Sequence, residues 1–175
     1  DVYEGAPTSI TSFFAVVPKA TGLALMIKFM LVPFSNILSE WQIILVFISV
    51  ASMILGALAA IVQKNIKRLL AYSSIGHIGY ALAGVATGSI SGYKSSIIYI
   101  TIYAIMNIGA FSCLYLLKKG GEYKESISDL SGISKKHPVI SLSLLIILFS
   151  LAGIPPLAGF FAKFYIFTSV LEQKM

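Results

Sequence analysis

Residues 138–171 decide the fold, and their sequence is PVISLSLLIILFSLAGIPPLAGFFAKFYIFTSVL. As one upright helix this apolar stretch would be about 50 Å long, against a hydrocarbon core of about 30 Å. It is interrupted at residues 153–156, Gly-Ile-Pro-Pro, where two prolines remove two backbone donors and clash with the preceding turn. We therefore predict a broken transmembrane helix with halves at 138–152 and 157–171. A break at membrane depth requires a backbone that is buried in protein or lines a water-filled cavity.

Four more apolar stretches precede the broken one. Each has about 20 residues, the length that crosses a bilayer as a helix. They lie at residues 10–32, 41–62, 69–87 and 96–117. The sequence predicts an all-α, polytopic transmembrane helix bundle in which the last span is discontinuous. We see no domain boundary within residues 1–175.

The composition is typical of a membrane protein. Of the 175 residues, 57% are hydrophobic and 11% are charged, whereas soluble domains carry about 25% charged residues. These values exclude a soluble domain and a disordered chain. With one cysteine (Cys113) and two histidines (His77 and His137), a disulfide scaffold, a zinc site or an iron–sulfur site is not expected. The chain opens at Asp1 without a signal peptide, and we expect it to be a fragment of a larger membrane subunit.

The basic residues alternate between the two ends of the predicted spans, and the net charge is +6. One side receives Lys64, Lys67, Arg68, Lys118, Lys119, Lys124, Lys135 and Lys136. The other side receives Lys94 and Lys174. We predict a multi-pass protein of the bacterial inner membrane. Because cytoplasmic loops collect Lys and Arg, we expect the N-terminus of the chain to be cytoplasmic and its C-terminus periplasmic. The connector at 118–137 carries both signs of charge and is predicted to be solvated.

Three lysines lie inside the predicted spans: Lys19, Lys28 and Lys163. A lysine at the centre of a span costs about 2.5–3.5 kcal/mol on insertion scales. The seven acidic residues lie in loops or at span ends: Asp1, Glu4, Glu40, Glu122, Glu125, Asp129 and Glu172. Lys28, about three turns beyond Lys19, is predicted to extend to the lipid headgroups. Lys19 and Lys163 are predicted to take part in proton transfer, with the break at Pro155 and Pro156 next to Lys163.

His77 lies in the third span. Histidine titrates near neutral pH and can pass protons on, and Ser73 and Tyr80 lie about one turn away on either side of it. The alternative is a packing role, because Gly76 and Gly79 permit close approach of a neighbouring helix. Both alternatives remain open from the sequence.

No other constellation in the sequence indicates chemistry. Tyr103 and Asn107 lie one turn apart on the fourth span, and each is interpreted either as a polar site or as a simple bridge between helices. The stretch GYALAG at 79–84 is typical of helix packing and not of a nucleotide loop. We predict no catalytic residue, no metal site and no cofactor-binding residue in this chain.

Four motifs carry a family resemblance. They are DVYEGAPT at 1–8, FFAVVPK at 13–19, NIKRLLAYSSIGH at 65–77 and LAGIPPLAGF at 151–160. In this order along the whole chain, they resemble the antiporter-like subunit N family of the proton-pumping NADH–quinone oxidoreductase, respiratory complex I. That family has about fourteen transmembrane helices in two inverted halves. The resemblance implies that this chain holds the eighth to twelfth helices.

The resemblance also implies roles. Lys19 matches the lysine of the family's eighth helix and His77 the histidine of the tenth, both in the central hydrophilic axis. Lys163 matches the lysine of the broken twelfth helix, on the exit half-channel. The family's glutamate of the fifth helix and lysine of the seventh would precede Asp1. The implied partners are the other membrane subunits and the lipid bilayer, not nucleic acid, while NADH, FMN, iron–sulfur clusters and quinone belong to other subunits of the complex.

The expected function is proton translocation in a quinone-reducing redox pump, without redox chemistry in this chain. One rival is a subunit of a multisubunit sodium/proton antiporter, although the motif at 1–8 favours the redox pump. Another is a secondary transporter whose broken helix binds a small anion at a half-helix N-terminus. A purely structural membrane anchor is disfavoured, because it would not explain the cost of three intramembrane lysines.

Overall fold

A computed structural model describes residues 2–119 and 125–173. In that part of the chain eight α-helices follow one another: α1 Val2–Gly5, α2 Thr8–Leu31, α3 Leu38–Ile61, α4 Ile66–Ala86, α5 Ile90–Lys119, α6 Ile133–Lys136, α7 Pro138–Ala152 and α8 Ala158–Glu172. Single 3₁₀ turns lie at Ser35–Ile37 and Ile127–Leu130. The predicted all-α fold is confirmed. Four charged residues named in the sequence analysis lie outside the described residues: Asp1, Glu122, Lys124 and Lys174.

Four of the helices, α2 to α5, are long and apolar enough to cross a membrane. The predicted discontinuous helix is also confirmed, because α7 and α8 are separate helices of 15 residues each on either side of the break. Each half is about 22 Å long, shorter than the hydrocarbon core, so the two halves in series supply the length of one span.

All four long helices begin earlier than the apolar pattern indicates, α2 by two residues and α3 by three. Helix α4 starts at Ile66 instead of residue 69, because the Asn65 side chain accepts hydrogen bonds from the backbone N–H groups of Lys67 (2.8 Å) and Arg68 (3.2 Å). This N-cap extends the helix past the end of its apolar run. Helix α5 starts at Ile90 instead of residue 96 and has 30 residues.

The connector at 118–137 is only partly as predicted: its residues 125–127 pack on α4, whereas several of its later residues are exposed, namely Ser128, Ser131, Ser134, Lys135 and Lys136. Glu125 and Ile127 pair with the start of α4, with the Ile66 N–H donating to the Glu125 carbonyl (3.1 Å) and the Ile127 N–H to the Lys64 carbonyl (2.9 Å). The Lys67 ammonium is 2% exposed and lies 2.8 Å from the Glu125 carboxylate. Lys67 is therefore not a solvated loop cation. Because Asn65 caps α4, Lys67 lies in the first turn of that helix, and Glu125 of the connector packs against it.

Helix α3 packs closely on α4 through glycines. A β-carbon on Gly56 would lie 2.4 Å from the backbone nitrogen of Gly76, and one on Gly79 would lie 2.8 Å from the Ser49 carbonyl oxygen. This close approach is the packing role expected of the α4 glycines. The opposite face of α3 exposes large apolar side chains, as a lipid-facing helix does: Ile43, Phe47, Leu58 and Ile61.

Helix α5 lies at the centre of the bundle, in contact with α2, α4, α7 and α8. Its inner face buries large side chains, among them Tyr99, Tyr103, Phe111 and Leu114. Among its buried polar side chains are Tyr99, Tyr103 and Asn107, which the surrounding helices separate from the outside.

Candidate functional site

The break between α7 and α8 is occupied by Lys163. In a continuous helix, the carbonyls of Leu151 and Ala152 would accept from the N–H groups of residues 155 and 156, four positions on. Both of these residues are prolines and have no N–H. The half-buried Lys163 ammonium instead donates to the Leu151 carbonyl (3.2 Å) and to the Ala152 carbonyl (2.9 Å). A cation is also favoured at this position by the negative end of the α7 dipole.

Glycines allow this arrangement at both sides of the break. Gly153 ends α7 in the left-handed conformation (φ 89°), and a β-carbon there would lie 3.1 Å from Lys163 Cδ. Gly159 starts α8 directly against α7, where its N–H donates to the Ser150 hydroxyl (3.0 Å). A β-carbon on Gly159 would overlap the Ser150 carbonyl oxygen at 1.7 Å.

Lys163 and His77 share one cleft. The Lys163 ammonium lies over the ring of Tyr80, 4.9 Å from its centroid. A cleft of about 190 Å³ is lined by both residues and by neighbours from α3, α4 and α7, including Ser73, His77 and Leu151. The one-turn neighbours of His77 that were singled out in the sequence, Ser73 and Tyr80, thus line this cleft with it.

His77 is buried and faces α5. Its Nδ1 lies 2.7 Å from the Tyr99 hydroxyl, and the tautomer decides which of the two donates. Its ring also lies 4.9 Å from the ring of Tyr103, while the ring of Tyr99 lies 6.0 Å from that of Tyr80. The histidine is therefore hydrogen-bonded to a tyrosine and packed between tilted aromatic rings.

Lys19 approaches the same cluster from α2. Its ammonium donates to the Ser74 hydroxyl, one turn before His77 on α4. It also lies 5.5 Å from the ring centroid of Tyr3, whose hydroxyl donates to the Phe14 carbonyl (3.2 Å). That carbonyl would otherwise lack a partner, because Pro18, four residues later, has no N–H.

The three predicted residues are brought together by the fold. The Lys163 ammonium contacts Tyr80, whose ring lies near that of Tyr99, and Tyr99 is hydrogen-bonded to His77. Ser74, which binds Lys19, lies one turn before His77 on α4. His77 lies within electrostatic reach of both lysines. Neither Lys19 nor Lys163 forms an ion pair within the described residues. Two lysines without an acidic partner in the described residues and one buried histidine thus lie in the same polar cluster. Lys28 is exposed on α2 and lies apart from the cluster.

A family model described as "NADH:quinone oxidoreductase/Mrp antiporter, TM" matches residues 1–175 of this chain. The chain belongs to this family. Members with curated names include the NADH-quinone oxidoreductase subunit N of Pelagibacter ubique (strain HTCC1062), which is 64% identical over 175 residues. Subunit N 1 of Rhizobium meliloti (strain 1021) is 50% identical over 176 residues. All of this chain aligns with each of them, and it spans 37% of the length of either relative.

Two solved structures share the fold of this family member. Respiratory complex I from Thermus thermophilus with bound Aureothin contains a chain that matches with a TM-score of 0.80 and 31% identity, over 99% of this chain and 37% of that one. The Mrp complex from Dietzia sp. DQ12-45-1b contains one that matches with a TM-score of 0.89 and 25% identity, over 98% of this chain and 32% of that one. The resemblance inferred from the sequence motifs is thereby confirmed.

Several residues of the cluster were not assigned a role from the sequence. Tyr99 was missed although it precedes Tyr103 by four residues, the spacing that places both on one helix face. Ser74 lies inside the motif at 65–77, but its bond to Lys19 joins residues 55 positions apart. The buried pair of Lys67 and Glu125 left no signal, because it joins a helix start to a charged connector.

Proposed function

We propose that this chain is part of a membrane-arm subunit of NADH–quinone oxidoreductase that conducts protons across a bacterial inner membrane. The relatives named subunit N support this assignment. In the proposal, quinone reduction elsewhere in the complex drives the translocation, and NADH, FMN, iron–sulfur clusters and quinone are bound by other subunits. The other membrane subunits and the lipid bilayer are the partners of this chain.

The observation that carries the proposal is the placement of two intramembrane lysines and a buried histidine in one polar cluster, where hydroxyl and aromatic groups lie between them. The ammonium groups of Lys19 and Lys163 are held by a hydroxyl and by carbonyls, respectively. Within the described residues no carboxylate fixes their charge. Each lysine can therefore lose its proton without leaving an unpaired carboxylate behind.

In this mechanism Lys19, His77 and Lys163 hold the mobile protons. Tyrosine hydroxyls both donate and accept hydrogen bonds, so Tyr99 can orient the imidazole of His77. The break at Pro155 and Pro156 supplies the two carbonyls that hold Lys163. We assign Lys163 to the exit side, where the break brings backbone polar groups to membrane depth.

The two rivals differ in their support. A sodium/proton antiporter subunit is favoured by the fold of the Mrp complex chain, and it predicts that translocation depends on sodium. An anion site at the start of α8 is disfavoured, because the Gly159 N–H is bonded to Ser150 and the Phe160 N–H to the Leu157 carbonyl (3.0 Å). The curated names of the nearer relatives favour the redox pump.

The test uses Lys19 variants of the full subunit in the assembled complex. Lys19→Ala should lower proton translocation per electron pair in reconstituted vesicles without sodium. Lys19→Arg should not restore it, because a guanidinium does not release its proton. The matched control is Lys28→Ala, which removes an exposed lysine from the same helix. Wild-type pumping in both Lys19 variants would remove Lys19 from the mechanism, and pumping that requires sodium would favour the antiporter.

A further inference from the structure

Residues 2–6 form a short segment, the strap, that lies against the first turns of α2 and α4. Its backbone carbonyls are held from both helices. The Thr11 hydroxyl of α2 donates to the Tyr3 carbonyl (3.1 Å). The Lys67 ammonium of α4 donates to the carbonyls of Glu4 (3.3 Å) and Ala6 (3.0 Å). The strap is therefore fixed to two helices that α3 separates along the chain.

Lys67 is the buried anchor of the strap. Its side chain is 2% exposed, and a buried cation is stable only when it is paired and hydrogen-bonded. A lysine ammonium has three donors. Here they face the Glu4 carbonyl, the Ala6 carbonyl and, at 2.8 Å, the Glu125 carboxylate. Lys67 cannot move away from the strap without leaving a buried donor unpaired. A second attachment, from Arg68 to the Glu4 carboxylate (3.5 Å), is exposed and therefore weaker.

The strap carries Tyr3, whose ring faces the ammonium of Lys19. The distance from Nζ to the ring centroid is 5.5 Å, within the range of about 6 Å over which an aromatic ring attracts a cation. The ring is also fixed at its far end, because the Tyr3 hydroxyl donates to the Phe14 carbonyl (3.2 Å). Pro18 offers that carbonyl no N–H. The proline before Lys19 thus leaves free the acceptor that holds the ring.

Lys19 has room to leave its position against Ser74. A lysine stem is flexible, and the Ser74 hydroxyl receives one of the three N–H donors of the ammonium. One hydrogen bond does not fix such a side chain, whereas the Tyr3 ring adds a second contact from another segment. The free space is a cavity of about 290 Å³ lined by Tyr3, Ala6, Thr11, Phe14, Pro18 and Lys19.

We propose that the strap positions the proton site at Lys19: Tyr3 keeps the ammonium against Ser74, and Lys67 keeps Tyr3 in place. Tyr3 and Lys67 are positioning residues, since they act through Lys19. The effect on pumping rests on the proposed function, whereas the hold on the Lys19 side chain does not. Because Lys67 also binds Glu125, the same contacts join the connector after α5 to the lysine inside the span.

The hold on Lys19 is tested by cryo-EM maps of the intact complex. In the wild type and in Tyr3→Phe, which keeps the ring, the Lys19 ammonium should lie next to Ser74 Oγ. In Tyr3→Leu, which removes the ring, the end of the Lys19 side chain should leave Ser74 or lose its density. If Lys19 stays against Ser74 in Tyr3→Leu, the inference is wrong.

The anchor is tested in the same way by Lys67→Met. The strap should shift from α4, and the end of Lys19 should lose its position with it. The matched control is Lys118→Met, which removes the exposed partner of Glu125 and should leave both in place. A strap that keeps its position in Lys67→Met, or that shifts equally in Lys118→Met, would contradict the anchor.

The positioning role is tested by proton translocation per electron pair. Tyr3→Leu should lower this ratio, and Tyr3→Phe should recover most of the loss, because the ring is kept. Added to Lys19→Ala, Tyr3→Leu should cause no further loss, because it acts only through Lys19. Tyr115→Leu, at an exposed tyrosine of α5, is the control and should pump normally. A further loss in the double variant, or equal losses in Tyr3→Leu and Tyr3→Phe, would show that the ring does not act on Lys19.

The two proposals fail separately. A Lys19 side chain that moves in Tyr3→Leu, together with normal pumping by Lys19→Ala, would refute the proposed function and leave the strap standing. A Lys19 side chain that stays in place, together with impaired pumping by Lys19→Ala, would refute the strap and leave the proposed function standing.

Discussion

Lys163 donates a hydrogen bond to the carbonyl of Ala152, with 2.9 Å between nitrogen and oxygen, across the break that separates α7 from α8. The prolines at 155 and 156 leave the Ala152 and Leu151 carbonyls without helical donors, and the lysine on the second half-helix takes their place. The two prolines that interrupt the span thus leave the carbonyls that bind the Lys163 ammonium.

Lys163→Met should impair proton translocation without loss of the subunit from the complex. Methionine has a similar length but carries no charge and no donor, so the proton site disappears while the packing volume is kept. Proton translocation per electron pair in reconstituted vesicles is the measurement, and Lys28→Met on α2 is the control. If Lys163→Met pumps at the wild-type ratio, Lys163 is a packing residue.

Gly153→Ala should displace the Lys163 side chain. A β-carbon at Gly153 would lie 3.2 Å from Lys163 Nζ, and φ at this position is 89°. A left-handed residue other than glycine costs about 1–2 kcal/mol. Gly132→Ala is the matched control, because Gly132 also has a positive φ (77°) but has nothing within 4 Å of an added β-carbon. We expect Gly153→Ala to pump less and Gly132→Ala to pump normally. Equal losses in the two variants would show that backbone strain, and not a displaced Lys163 side chain, causes the effect.

Lys67→Met should release the connector from the start of α4. The Lys67 ammonium bonds the Glu125 carboxylate (2.8 Å) and the carbonyls of Glu4 (3.3 Å) and Ala6 (3.0 Å). Breaking one side of a buried ion pair costs about 3 kcal/mol. Hydrogen exchange of the Ile127 amide in the intact complex should therefore accelerate. The control is Lys118→Met, which removes the exposed second partner of Glu125 and should cost at most about 1 kcal/mol. Equal acceleration by both variants would contradict the buried pair.

The same ion pair should make the connector sensitive to acid. Burial raises the pKa of the Glu125 carboxyl, but hydrogen bonds from Lys118 and Lys67 outweigh it and hold that pKa below its ordinary value. A lowered folded-state pKa stabilises the fold above the unfolded-state pKa, and this contribution is lost as pH falls through the folded-state value. The Ile127 amide should therefore exchange faster in Glu125→Gln than in wild type near neutral pH. The two exchange rates should become equal in acid. A difference that is constant with pH would show that the carboxylate charge is not responsible.

Gly56→Ala should prevent the close packing of α3 on α4. The added β-carbon would lie 2.4 Å from the backbone nitrogen of Gly76, and backbone cannot move aside as a side-chain end can. The amount of assembled complex in membranes should fall. Gly22→Ala is the control, because it too lies inside a helix but has nothing within 4 Å of the new carbon, and alanine favours helix by about 1 kcal/mol. Normal assembly of Gly56→Ala would mean that α3 is not held against α4 at this point.

The orientation of the chain is tested by cysteine labelling in intact cells. The loop charges predict that residues 118–137 are cytoplasmic and that the turn between α4 and α5 is periplasmic. Ser134→Cys and Ser91→Cys place an exposed thiol on each side, while the native Cys113 is buried. A membrane-impermeant maleimide should label Ser91→Cys and not Ser134→Cys. The reverse pattern would invert the topology.

Much of the fold was determined by the sequence alone. Runs of about 20 apolar residues require helices in a bilayer, because every backbone polar group must be satisfied internally. Two adjacent prolines require a break wherever they occur in such a run. The three ionisable residues of the cluster were also apparent in the sequence, because lysine and histidine are costly inside apolar spans.

The partners of those residues were decided only by the tertiary structure. The bonds of Lys19 to Ser74 and of His77 to Tyr99 join different helices, and no periodicity within one helix encodes which helices become neighbours. Lys67 looks like a loop cation in the sequence, yet it is buried because Glu125, 58 residues later in the chain, folds back over the start of α4. Apolar length and proline positions are local properties of the chain, whereas the burial and hydrogen-bond partners of a charge depend on which distant segments pack against it.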